Sequence, residues 1–294
     1  MSDAQAPLKN FPRKHSHLVC IDSDGTALDT MEIKHKECFI PNTVRCWDLQ
    51  PVARYARAAA EFVNLYSRDR GINRFPALLK TFDLLSVWPG VPPAANIPRA
   101  EGLRAWVASE PRLTNETLRE AAERTGDPDL KRALAWSEAV NAAVAITVRN
   151  CAPFEFVRES LERLSVRADI MASSVMPGEA LKREWAEHGI ARFVTLIAGQ
   201  EMGGKREHIA LAIDGRYEKH RVLMIGDAPA DHKAASANGA RFFPICPERE
   251  AESWRRMFEE AAGRFLDDRY DDAYEGARIA EFEKLLQEKP SWMM

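Results

Sequence analysis

No run of apolar residues approaches the roughly 20 that a membrane span requires, and the opening stretch MSDAQAPLKNFPRKHSH lacks the apolar centre of a secretory leader. A polar N-terminal arm is expected there, with no membrane partner. There is no CxxC pair and no zinc-type spacing: the five cysteines, Cys20, Cys38, Cys46, Cys151 and Cys246, are odd in number and scattered. That pattern excludes a disulfide framework and fits a reducing, cytoplasmic setting. No block of Lys or Arg stands out, the formal net charge is -3 and the pI is near 6.2. The electrostatic footprint of a nucleic-acid binder is therefore missing. Internal repeats and low-complexity tracts are absent as well. His15, His17, His35 and His232 show no ligand spacing and are expected at the surface.

What is present is a chain of 294 residues, 46% hydrophobic and 29% charged, enough to bury a sizeable core and to form two domains. Short apolar runs rich in Val, Ile and Phe recur at 17–22, 168–173, 193–198, 221–226 and 240–245. Runs this short, apolar on both sides and separated by helical patterns predict a parallel sheet covered by helices, an α/β core. Residues 31–149 have a different character. Long amphipathic helical patterns fill them, with Phe75, Leu78, Leu79 and Phe82 at helical spacing. The pattern predicts a helical domain inserted after the first strand, with the Pro-rich stretch 88–102 as a loop inside it. The expected organisation is a core formed by 1–30 and 150–250, a helical insert over 31–149, and a helical extension over 251–294 packed on the core.

In an open α/β sheet, ligands bind at the carboxyl ends of the strands. The first strand ends in Asp22-Ser23-Asp24-Gly25-Thr26, the second in Ser173-Ser174, and the fourth in Gly226-Asp227, followed by Asp231; Gly203-Gly204-Lys205 follows the third. Asp22, Asp24 and Asp227 on one rim would repel one another unless a hard cation neutralised them. Oxygen-only ligation by few carboxylates suits Mg2+, which shares its shell with water and phosphate. Hydroxyls, an ammonium and helix N-termini on the same rim complete an anion site. An Asx turn is the plainer reading of Asp22 to Gly25, and a helix-start role is the plainer reading of Asp231.

DxDGT, a strand-end Ser, a Lys and GDxxxD, in that order, resemble the four motifs of the haloacid dehalogenase (HAD) superfamily. The insert resembles its helical C1 cap. The resemblance implies a Rossmann-like core and a phosphatase that works through an aspartyl-phosphate. Asp22 would be the nucleophile and Asp24 the general acid and base. The carboxylates of Asp22 and Asp227 and the Asp24 carbonyl would hold Mg2+, supported by Asp231. Ser173 and Lys205 would bind the phosphoryl oxygens, with Ser174 the alternative hydroxyl. Thr26 would brace the turn and is itself a candidate substrate contact. RGINRFPALL at 70–79 resembles a cap specificity loop, which makes Arg74 and Asn73 candidate substrate contacts, with Arg70, Lys34 and Lys36 behind them. Ser23 departs from the usual bulky apolar residue at its position. The implied substrate is a small phosphorylated metabolite of the sugar phosphate or phosphoglycolate type, turned over by a monomer or homodimer. A phosphosugar mutase using the same residues and a non-catalytic binding protein are the alternatives.

Overall fold

The computed structural model describes residues 3–293. The chain divides into two compact units, one made of the chain up to Thr30 together with Asn150–Leu286, the other of Met31–Arg149 together with the segment from Gln287.

The first unit is built on five parallel strands, β1 (His17–Ile21), β2 (Ala168–Ser173), β3 (Leu196–Ala198), β4 (Val222–Gly226) and β5 (Arg241–Pro244), in the order β3-β2-β1-β4-β5. Between and after them run helices α1 (Val157–Ser165), α2 (Gly178–Glu187), α3 (Lys205–Ile213) and α4 (Pro229–Ala237), and α5 (Asp272–Leu285) closes the unit. This is the expected Rossmann-like α/β sheet. Strand alternation divides the core between its two faces. Val19, Ile21, Ile170, Ala172, Leu223 and Ile225 pack on one side against Leu161, Trp185, Trp254 and Phe265. Leu18, Cys20, Met171, Met224 and Phe242 pack on the other with Ile209 and Ala234. Burial alone pushes the Cys20 thiol up, as for a small core hydrophobe.

Three expectations change here. The N-terminal arm is not merely polar: Ala6–Lys9 is a helical turn, and Leu8 and Phe11 are buried in the second core face. Its path is fixed by Asp169, whose Oδ2 accepts from Lys14 N and His15 N at 2.9 Å each and from the Tyr217 hydroxyl at 2.7 Å. His17 is buried rather than solvated, with Nε2 3.2 Å from Asp268 Oδ1, because it belongs to the central strand. The apolar run 193–198 yields only a short strand, since Ala191–Phe193 is a 3-10 turn and the strand lies at the sheet edge, where short strands limit unwanted pairing.

The second unit is helical, with Ile40–Cys46, Ala53–Glu61, Arg74–Val87, Glu101–Ser109, Asn115–Thr125 and Pro128–Thr147 as its α-helices, and π-helical turns at Lys34–Phe39 and Phe62–Tyr66. Its own core gathers Trp47, Phe75, Phe82, Leu103, Leu118, Trp136 and Val140, and the Trp136 indole N–H donates to Thr43 Oγ1 at 3.0 Å. The extension expected to pack wholly on the α/β core does not do so. From Gln287 it joins the helical unit, where Gln287 N donates to Tyr66 O, Arg68 N donates to Gln287 O, and the Trp292 ring stacks on Trp88 with centroids 3.7 Å apart. The physical reason is aromatic burial: Trp292 also meets Phe62 edge-on.

No helix among the described residues is long and apolar enough to cross a membrane.

Candidate active site

The register of the sheet sets the site. Ile21 of β1 pairs with Ala172 of β2 and with Ile225 of β4, so the next residues, Asp22, Ser173 and Gly226, stand at one level on the carboxyl rim. Asp22 N extends the ladder by donating to Ile225 O at 3.0 Å. The strand order reverses between β1 and β4, the place where open α/β sheets leave a crevice. Asp22 and Asp227 flank it.

Carboxylate oxygens of Asp22, Asp227 and Asp231 lie within 4.8 Å of one another, all three residues buried. Lys205, brought in by the first turn of α3, sits between two of them, its Nζ 2.7 Å from Asp22 Oδ2 and 2.6 Å from Asp231 Oδ1. Each acid is held by a second contact. Asp22 Oδ1 accepts from Ser23 N at 2.8 Å, Asp231 Oδ2 accepts from Ala228 N at 3.1 Å, and Asp227 Oδ1 accepts from the Thr26 hydroxyl at 2.6 Å. Asp231 therefore caps the start of α4 and faces Lys205 at once, so its two readings are compatible.

The electrostatics are unbalanced. Burial pushes Asp22 well above the usual carboxylate range; the Lys205 ammonium opposes this, and Asp231 and Asp227 add to it. Burial likewise raises Asp231. Burial also works against the Lys205 charge, but Asp22 and Asp231 outweigh it and hold the ammonium above its ordinary value. One ammonium among three clustered carboxylates leaves a deficit of positive charge. A donor set made only of carboxylate oxygens suits a hard divalent cation of the Mg2+ type, so the residues present fit the implied metal.

Ser173 is fully buried at the end of β2, its Oγ 2.9 Å from His208 Nδ1. Ser174 is nearly as buried and is occupied locally, its N donating to Ala198 O and its Oγ accepting from Met176 N. Asp24 is half-buried, and its carboxylate lies outside the three-acid cluster, accepting instead from the Thr30 hydroxyl. Gly25 takes φ +71° in the turn that leaves the strand, a conformation glycine adopts without strain. Thr26 calls for a correction. It is fully buried and its one hydroxyl proton is committed to Asp227 Oδ1, so it orients a carboxylate.

Ser23 now has an explanation. Its side chain alternates away from Asp22 and Asp24 and accepts the Trp185 indole N–H at 3.0 Å. A second indole, that of Trp254, donates to Thr26 O at 2.6 Å. Two buried tryptophans from helices thus brace the loop from behind.

Arg74 and Asn73 belong to the helical unit. Asn73 is the N-cap of the helix Arg74–Val87, its Oδ1 accepting from Phe75 N at 3.0 Å and its Nδ2 donating to Leu113 O at 2.9 Å. Both polar ends are thus occupied by the fold, which corrects its place among the substrate contacts. Arg74 donates to Ser137 Oγ at 2.9 Å and Asn141 Oδ1 at 2.7 Å and lies over the Phe39 ring. Among the described residues no carboxylate pairs with it, and burial lowers its pKa to about 10. Arg70 donates to Leu65 O, Lys34 is buried, and Lys36 pairs with Glu32.

His208, the buried partner of Ser173, is a residue that motif reading missed. Only its position three residues after Lys205 on one helix could have pointed to it.

No family model matches the sequence, and no curated protein matches it. Solved structures do. A HAD-like family hydrolase from Streptococcus pneumoniae is 15% identical, covers 81% of this chain and 90% of its own, and has a TM-score of 0.46. A candidate phosphoglycolate phosphatase from Lactobacillus delbrueckii subsp. bulgaricus is 11% identical over 87% and 99% of the two chains, with a TM-score of 0.48. A candidate HAD hydrolase from Bacillus subtilis, bound to magnesium, is 13% identical over 84% and 100%, with a TM-score of 0.43. At such identities and scores these likenesses fix neither chemistry nor substrate.

Proposed function

We propose that the protein is a HAD-type phosphatase, hydrolysing a small phosphate monoester in two steps through Asp22. The observation that carries this reading is the convergence of Asp22, Asp227, Asp231 and Lys205 at the crevice between β1 and β4, with Ser173 at the same level of the rim. Asp22 and Asp227 would hold Mg2+ together with the Asp24 carbonyl, and Asp231 would support them. Bound there, Mg2+ supplies positive charge to the phosphoryl oxygens and to the crowded carboxylates.

An Asp22 carboxylate oxygen forms a bond to phosphorus as the bond to the leaving-group oxygen breaks, which divides one difficult displacement into two easier ones. Asp24 gives its proton to that leaving oxygen and later takes one from the water that attacks the aspartyl-phosphate. The second displacement restores Asp22 and releases phosphate. Lys205 and Ser173 neutralise and hydrogen-bond the transferring oxygens, the largest share of the work in such reactions. Thr26 and the Ala228 amide keep Asp227 and Asp231 aimed. The substrate class we favour is a sugar phosphate or phosphoglycolate-type ester. The resemblance of its loop keeps Arg74 as the candidate contact for a second polar or anionic group on such a substrate.

The test is phosphate release from a panel of phosphorylated metabolites with Mg2+ and with EDTA, for wild type and Asp22→Asn. Release that requires both Mg2+ and Asp22 is expected. Release that survives in Asp22→Asn removes the nucleophile assignment, and silence across the panel from folded protein removes the phosphatase.

A further inference from the structure

Trp254 is fully buried in the core face that holds Val19 and Ile21, on the helix Glu250–Arg256 that follows β5. The residue before it fastens that helix to the end of the strand: Ser253 Oγ accepts from Cys246 N at 3.0 Å and donates to Arg249 O at 2.9 Å. From this anchored turn the Trp254 indole N–H donates to the Thr26 carbonyl at 2.6 Å, and the Thr26 hydroxyl donates to Asp227 Oδ1, also at 2.6 Å. A chain of hydrogen bonds thus runs from a core helix, through one residue of the turn after β1, to a carboxylate of the crevice.

The peptide that joins Thr26 to Ala27 is held at both ends. Ala27 N donates to Ser23 O at 3.0 Å, a bond local to the turn, while the carbonyl accepts from the indole, its only donor among the described residues. A buried carbonyl left without a donor is costly, so the turn is stable where the indole meets it. Fixing the carbonyl fixes the backbone, and a β-branched side chain has few χ1 choices on a fixed backbone. The direction of the Thr26 hydroxyl, and with it the aim of Asp227, therefore follows from where the indole stands. The Trp185 indole braces the same turn differently. It donates to the Ser23 hydroxyl, which holds no carboxylate among the described residues.

We propose that Trp254 is a positioning residue for the cation site: its indole sets the Thr26 hydroxyl, which aims Asp227. The inference rests on the reading of Asp22 and Asp227 as Mg2+ ligands and not on the reaction carried out there. A hydrogen bond to a ligating carboxylate is worth about 10- to 100-fold in metal affinity. A residue one step further along the same chain acts through that bond, so its loss should show at the low end of this range.

The experiment titrates Mg2+ alone into the full chain by calorimetry, below the melting temperature of each variant. Trp254→Phe, which keeps a ring but loses the N–H, is expected to weaken Mg2+ binding by about 10-fold, and Thr26→Val by at least as much. Combined, the two should bind no more weakly than Thr26→Val alone, because both cut one chain. Trp185→Phe, which removes an equally buried indole from the same turn, should keep wild-type affinity. Wild-type affinity in folded Trp254→Phe, losses that multiply in the double variant, or an equal loss in Trp185→Phe each overturns the proposal. If Trp254→Phe does not fold, the wild-type chain still answers. Its Trp254 indole 1H–15N resonance should shift as Mg2+ saturates the site, and a resonance unmoved at saturation overturns the proposal. Wild-type protein that takes up no Mg2+ sinks the cation site together with the proposal, an outcome distinct from all of these.

Discussion

Ser23 stands between two acids of the rim yet turns its hydroxyl to the Trp185 indole. Ser23→Val should cost about 1–3 kcal/mol by stranding a buried N–H, read by chemical denaturation. Adding Trp185→Phe should recover part of that cost, because removing both partners removes the unpaired donor; a double variant less stable than Ser23→Val alone would count against the pairing. The acids themselves give a pH prediction. Asp22 and Asp231 have raised pKa values, mainly through burial, so the native state keeps protons that the unfolded chain releases near the ordinary carboxylate value. The stability tied to those protons is full below that value and is lost as pH rises through the raised ones. A divalent cation competes for the same oxygens and offsets that loss. The rise in Tm on adding Mg2+ should therefore be larger at pH 8 than at pH 5. Equal shifts at both, or none, would remove the cluster as a cation site.

At the level of elements, the junction of β4 and α4 carries a tight constraint. A Cβ at Gly226 would come within 2.4 Å of Asp231 Cγ, so the last strand residue must be glycine for the helix-start carboxylate to approach. Gly226→Ala should displace Asp231 from Lys205 and from the Ala228 amide. The expected result is a loss of about 1–3 kcal/mol together with weaker Mg2+ stabilisation of Tm. A variant with wild-type Mg2+ response would show that Asp231 is not needed in place. On α3 Lys205 and His208 stand about one helical turn apart. Gly203 just before it, at φ +118°, lets the chain enter that turn.

For the whole molecule, the chain passes between its two units after Thr30, after Arg149 and again after Leu286, and each unit has its own core. The last passage anchors Trp292 against Trp88 and Phe62. Trp292→Ala should remove about 0.5–1.5 kcal/mol of ring packing. In hydrogen exchange, the loss of protection should fall on Phe62–Tyr66 and Arg74–Val87 while β1, β2 and β4 keep theirs. Faster exchange spread evenly over both units would mean that the tail stabilises the molecule generally.

Much of this was written locally. Buried parallel strands need apolar residues on both faces, so the runs at 17–22, 168–173 and 221–226 were legible. The residues at their ends were legible because a strand end is where polar side chains reach a crevice. Insert and core separated by their different periodicities. Contacts between distant residues were not legible, since they depend on register and on how helices pack across the sheet. The chain alone determined that acids and a serine would end strands and that a lysine would open the helix after the third. Only the tertiary structure decided that Lys205 bridges Asp22 and Asp231, that Thr26 serves Asp227, that Trp185 meets Ser23 across 162 positions, and that His208 meets Ser173 across 35. Periodicity says which face a residue takes; only the packed structure says which partner it finds there.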